Sequence, residues 1–252
     1  MNWTDAVILF FAGTAAGIIN TVVGSGSLVT FPILVALGYP PVLANVTNNI
    51  GVLPGSISGA ISYRKELAGH GRELVSLAAF SAGGGLVGAL LLLTLPTAAF
   101  QFIVPILIVI ACVLVIAGPA LKRWSSTRKR DGAAGRRAVE LDAAVGLTGV
   151  YGGYFGAAQG VILLASLTAL LPGDIQRANA FKNVLAGTAN LAAAIVFVFT
   201  TRVAWPAALA IAVGAILGGQ LGGLVGRRLT PTVFRIIIVV IGTAAVAYFL
   251  VR

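Results

Sequence analysis

The 252-residue chain is 58% hydrophobic and only 10% charged, with a mean hydropathy of +1.01, where an ordinary soluble domain carries about 25% charged residues. That balance excludes a soluble globular domain and implies an integral membrane protein. Seventeen Lys and Arg against seven Asp and Glu give a net charge of +10, but these bases lie in short loops between apolar runs, which points to membrane orientation and lipid headgroups and not to nucleic acid.

From the start, "MNWTD" puts no positive charge before the first apolar run, so no cleavable signal peptide is expected. Six stretches have the length of one spanning helix, roughly 20 residues: Ala44–Ser62, Leu74–Leu93, Ala98–Ala117, Ala178–Val198, Ala204–Val225 and Val233–Val251. Two others, Asp5–Leu37 and Leu141–Leu171, are too long. As straight helices they would reach about 50 Å, beyond a hydrocarbon core of about 30 Å. Glycines interrupt both, "GSG" at 24–26 and "GGYFGAAQG" at 152–160. Each is therefore expected to form two helical arms joined inside the membrane. Cys112, the only cysteine, lies in an apolar run and can form no internal disulfide.

The halves read as repeats. A shift of 134 residues aligns 12–61 with 146–195 without a gap, placing Gly26 on Gly160, Asn45 on Asn179 and Asn49 on Asn183. The expected organisation is a first membrane repeat over 1–121, a basic cytoplasmic linker over 122–138 and a second membrane repeat over 139–252. Charge then decides topology. If each long segment crosses once, the 17 bases divide 12 against 5; if each returns to its starting face, they divide 15 against 2. The positive-inside rule favours the second arrangement, with the linker cytoplasmic and both termini outside. The expected fold is all-α: two pseudo-symmetric inverted repeats, each a glycine-broken helical hairpin followed by three spanning helices, as in many secondary transporters.

The candidate site follows from the breaks. Backbone groups freed at membrane depth need protein or water partners. Gly24 and Gly26 let the chain reverse, and the amides opening the 26–37 arm suit an anion. Ser25 adds a hydroxyl, while Gln159, before Gly160, holds the matching place in the second break. "ANVTNN" (44–49) and "ANAFKN" (178–183) are expected to open the two following helices. They contribute Asn45, Asn48, Asn49, Asn179, Lys182 and Asn183, more polar groups than N-capping uses. Lys182 has two readings, a contact for anionic cargo or a snorkelling orientation signal. Tyr151 and Tyr154 either line the site or sit in an interfacial belt. Gly51, Gly55 and Gly59, Gly84 and Gly88, and Gly214, Gly218, Gly222 and Gly226 recur at fours, the spacing of close helix packing.

Enzyme chemistry finds no footing. "GSG" follows no strand of a βαβ unit, the serines lack a neighbouring base because the single histidine, His70, lies in a polar loop, and His, Cys and carboxylate clusters for a metal are missing. No cofactor is expected. The broken segment "GSGSLVTFPILVALGYPP", the following "ANVTNNIGVLPGSISG" and a second copy after a basic linker resemble the TauE/SafE family of membrane proteins, the sulfite exporters. The resemblance covers nearly the whole chain. It implies a bacterial inner-membrane transporter of small anions, sulfite and sulfonates such as sulfoacetate being the characterised cargo, and it carries Gly24–Gly26, Asn45 and Asn49 over as site candidates. "GSG" and "AAQG" depart from the family's glycine runs, so cargo identity does not carry over.

The resulting expectation is a secondary transporter moving a small anion outward by alternating access. Its partners are the anion and the lipid bilayer, without nucleic acid, and a homo-oligomer is left open. The Asp and Glu residues all fall near span ends or in loops, which argues against a carboxylate proton relay. The rival reading is a non-transporting membrane scaffold or assembly factor.

Overall fold

The computed structural model describes residues 1–127, 134–171 and 174–225, together with 236, 238–244 and 246. Helices α1 (Trp3–Val22) and α2 (Ser27–Ala36) are followed by α3 (Pro41–Ser62), the one-turn α4 (Arg64–Leu67), α5 (Gly71–Thr94) and α6 (Thr97–Thr127). After the linker come α7 (Ala134–Tyr154), α8 (Gln159–Leu170), α9 (Ile175–Thr200) and α10 (Trp205–Val225). Five helices are long and apolar enough to cross a membrane: α1, α5, α9, most of α10, and Ala98–Ala120 within α6. The expected last span, Val233–Val251, lies largely outside the described residues, of which 238–244 are helical. "KRWSST" contains no Gly or Pro, so α6 simply continues to Thr127, and 128–133 lie outside the described residues.

Helix directions follow from which residues meet. Gly13 faces Ile211 and Gly17 faces Ala215, while Gly51 faces Ile211 and Gly55 faces Ala215. Helices α1 and α3 therefore both run parallel to α10. Two successive parallel helices require the chain between them to return, and α2 makes that return. Gly26 lies against Ala16, and burial, with the Asp5 carboxylate nearby, pushes the Tyr39 phenol up from its ordinary pKa.

The second half repeats this. Gly84 faces Gly146 and Gly88 faces Val150, Gly85 faces Ala189, and the Ser81 hydroxyl donates to Leu185 O at 2.7 Å, so α7 and α9 run parallel to α5. Helix α8 returns along α7, joining Leu141, Val145, Leu163, Leu167 and Leu171 in one apolar cluster. Where the two halves meet, Asn49 touches Asn190 and Ser56 touches Gly187, so α3 and α9 cross antiparallel.

The glycine rows occupy these seams. A Cβ at Gly84, Gly88, Gly214 or Gly218 would strike a backbone carbonyl of the facing helix, which is how small residues let helices approach. Large apolar side chains point outward instead: Phe11, Val75, Phe102, Phe199 and Leu224 are all exposed, as a lipid-facing surface requires. Trp3 and Trp205, at the starts of α1 and α10, are exposed on one face of the bundle, where amphipathic rings sit at headgroup level. Arg64, Lys65, Arg72 and the Arg177–Glu73 ion pair lie at the opposite ends of the helices.

Candidate functional site

Both long segments break with a residue in the left-handed region, Gly24 at φ +88° and Ala158 at φ +60°. The two positions are equivalent under the 134-residue shift. Glycine adopts this conformation freely, whereas alanine pays about 1 kcal/mol for it. Ala158→Gly is therefore expected to raise the thermal unfolding midpoint of the detergent-solubilised protein by a degree or two, roughly 0.5–1 kcal/mol. A lower midpoint would show that the alanine methyl, fully buried, contributes more packing than its backbone conformation costs.

The two breaks touch. Gly160 N donates to Gly24 O at 2.9 Å, and a Cβ on either glycine would collide with the other's backbone. An amide freed by one break is thereby satisfied by a carbonyl freed by the other.

The helix ends at the breaks are closed from across the molecule. The last carbonyls of a helix lack intrahelical partners. At the end of α1, Asn20 O and Thr21 O accept from Lys182 Nζ at 3.0 and 2.9 Å. At the end of α7, Tyr154 O accepts from Asn45 Nδ2 at 2.9 Å. Each half thus caps the broken helix of the other, and the ammonium sits at the negative end of the α1 dipole.

Three readings that the sequence leaves open or misplaces are narrowed here. Lys182 does not snorkel: it is 1% exposed, because two carbonyls already hold its ammonium. Asn45 and Asn179 are not N-caps. Helix α3 begins four residues earlier, with Pro41 at a first-turn position where its missing N–H costs nothing, and α9 begins after Asp174, whose carboxylate accepts from Arg177 N at 2.8 Å. Tyr151 donates its hydroxyl to Ala157 O at 2.5 Å and braces the second break. Tyr154 packs its ring on Phe100 and leaves its hydroxyl without a partner.

The remaining candidates divide. Asn48 accepts from the Thr30 hydroxyl and ties α3 to α2. Asn49 Nδ2 reaches Asn190 Oδ1 at 3.4 Å. Buried polar atoms without partners remain on Ser25, Asn49, Gln159, Asn179 and Asn183, although such groups ordinarily are paired. Asn183 stands out because both of its amide atoms are unpaired. It lines a cavity of about 360 Å³ between α3 and α9, together with Ser56, Arg64 and Thr188. Arg64 lies toward the basic face, and Asn183 is the sequence neighbour of Lys182. Sequence reasoning passed over Asn20, whose amide donates to Ser56 Oγ at 3.0 Å, and over Ser56 and Asn190. The last two are themselves equivalent under the same shift, a signal that was available.

The arrangement gathers polar groups where apolar helices break and cross and, among the described residues, holds one buried cation, so it offers hydrogen bonds and a charge. Residues 9–249 match the family described as Sulfite exporter TauE/SafE. The chain is 27% identical over 246 residues to a "Probable membrane transporter protein" of Haemophilus influenzae, covering 96% of this chain and 94% of that one. It is 29% identical over 221 residues to "Probable membrane transporter protein YfcA" of Escherichia coli, covering 85% and 78% respectively. With "Probable membrane transporter protein ORF9" of a Sinorhizobium species it shares 27% identity over 241 residues, covering 94% and 88%. A family match that takes in both halves, on apolar helices that break around a polar centre, makes this chain a multi-pass membrane transporter of the TauE/SafE family.

Proposed function

We propose that the protein carries a small anion, such as sulfite or an organosulfonate, outward across the bacterial inner membrane by alternating access. In this reading, residues 1–121 and 139–252 are inverted repeats, each opening with a re-entrant hairpin, and 122–138 is the cytoplasmic linker. The parallel course of α1 with α3 and of α7 with α9 supports the hairpins. The antiparallel crossing of α3 and α9 supports the inversion. The basic residues 64, 65, 72 and 177 share the linker's face, which is the cytoplasmic one by the positive-inside rule.

The observation that carries the reading is Asn183, a buried amide with both polar atoms unpaired, at a cavity that Arg64 flanks on that same face. An anion entering there would meet Arg64 first, then Asn183 and Ser56, whose hydroxyl accepts from the Asn20 amide at 3.0 Å. In this reading the cargo enters from the cytoplasmic side.

Labelling tests this. Thr188 lines the cavity, and its hydroxyl bonds only within its own helix, to Val184 O at 2.9 Å. Thr188→Cys in a Cys112→Ser background should react with a membrane-impermeant maleimide added to inside-out vesicles and not to intact cells, and methanesulfonate should slow the reaction. Labelling from the outside alone, or an unaltered rate with the anion present, would contradict the reading and favour a scaffold.

A further inference from the structure

We infer that the seam between α5 and α7 binds an anionic phospholipid, its phosphate at the basic face and one acyl chain along the helices. This stands apart from the cargo reading above. Two cavities lie on that seam. The first, about 640 Å³, is lined by Arg72, Ser76, Arg137 and Asp142 over apolar Leu77 and Leu141. The second, about 440 Å³, is lined by Phe80, Gly83, Val87, Gly146, Leu147 and Val150, and no charged side chain reaches it.

The two cavities share one track. On α5, residues 72, 76, 80, 83 and 87 recur at three or four, as do 138, 142, 146 and 150 on α7. Each set therefore lies along one face of its helix, and the helices run parallel. From Ser76 to Val87 the groove is about 16 Å long, the depth of one leaflet in a hydrocarbon core of about 30 Å. Gly83 leaves it open, with nothing within 4 Å of a built Cβ, and Gly146 meets only Phe80 O at 3.8 Å. Gly84 and Gly88, one position round the helix, press on α7 backbone. The space is thus a groove beside a tight contact.

Charge selects the lipid. Arg72 is exposed and Arg137 half-buried, and neither forms an ion pair with a described residue. Glu73, also at this cavity, is taken by Arg177. Asp142 then stands against two guanidinium groups, and with His70 counted as neutral the pocket keeps one positive charge. A phosphodiester brings one negative charge and two free oxygens, which suit the planar donors of arginine. A glycerol headgroup leaves that charge uncompensated, whereas a zwitterionic headgroup cancels it with its own ammonium.

Thermal unfolding of the full chain in a neutral detergent tests this. Dioleoylphosphatidylglycerol, added well above its dissociation constant, should raise the midpoint by about 5 °C. Dioleoylphosphatidylcholine should raise it by less than about 1 °C. Arg72→Gln combined with Arg137→Gln, and separately Gly83→Leu, which fills the groove, should keep the lipid-free midpoint and lose most of the phosphatidylglycerol shift. Lys65→Gln, on the same basic face but outside the cavity, should keep the shift. Equal shifts from the two lipids, a full shift in either variant, or its loss in Lys65→Gln would overturn the inference. So would equal protection by glycerol 3-phosphate, which would assign the pocket to a free phosphate. If the variants fail to fold, the lipids on the unmodified chain decide alone. Anion flux enters none of these outcomes, so the transport reading stands or falls separately.

Discussion

Leucine at Gly218 should leave little folded protein in the membrane. A Cβ there would strike Thr14 O and crowd Ile18 N on the parallel helix α1, so the side chain meets backbone that cannot rotate away. Overpacking a core whose side chains can shift costs about 1–3 kcal/mol. Here α1 and α10 must separate along their shared seam, and the cost exceeds roughly 3 kcal/mol. Gly83→Leu is the matched control, because Gly83 also lies within a spanning helix but has nothing within 4 Å of its built Cβ. Size-exclusion profiles of tagged full-length protein should show a sharp peak for Gly83→Leu and aggregate or no peak for Gly218→Leu. Equal peaks would mean that the seam is not a close-packed contact.

Lys182→Met should weaken the fold and the transport together. The substitution keeps the bulk of the side chain but leaves Asn20 O and Thr21 O, both freed by the break, without their donor. An unsatisfied buried carbonyl costs about 1–3 kcal/mol, so a loss of roughly 2–5 kcal/mol is expected. Asn45→Ala removes one neutral hydrogen bond at the other break and should cost only about 1–2 kcal/mol. Thermal unfolding of the purified proteins should rank wild type above Asn45→Ala and Asn45→Ala above Lys182→Met. A Met variant as stable as wild type would show that the ammonium does not hold the α1 end.

The breaks were legible because their cause is local. Too long an apolar run with glycines in it cannot be one straight span, and Gly24 and Gly160 lie at the breaks and touch. Legible too was the 134-residue shift that pairs Gly24 with Ala158, the two left-handed residues at the breaks. The partners of the polar groups were not. Lys182 bonds to backbone carbonyls 162 and 161 positions away, and carbonyls carry no residue signature. A lysine among asparagines therefore reads equally well as a ligand or a surface anchor. The starts of α3 and α9 were misplaced for a related reason. "ANVTNN" looks like a cap, but Pro41 and Asp174 had already supplied the start signals upstream. Asn190 was passed over because its neighbours are apolar, though an amide deep in such a helix was itself the clue.

Efflux of a radiolabelled monoanion from proteoliposomes tests the central claim most directly. Vesicles carrying the full chain and loaded with methanesulfonate should empty faster than protein-free vesicles, with a rate that saturates as the internal concentration rises. Asn183→Ala, reconstituted to the same density, should lower that rate about tenfold, the effect of losing one hydrogen bond to a charged group. Efflux from wild-type vesicles no faster than from protein-free ones, for hydrogen sulfite as well as methanesulfonate, would contradict the account.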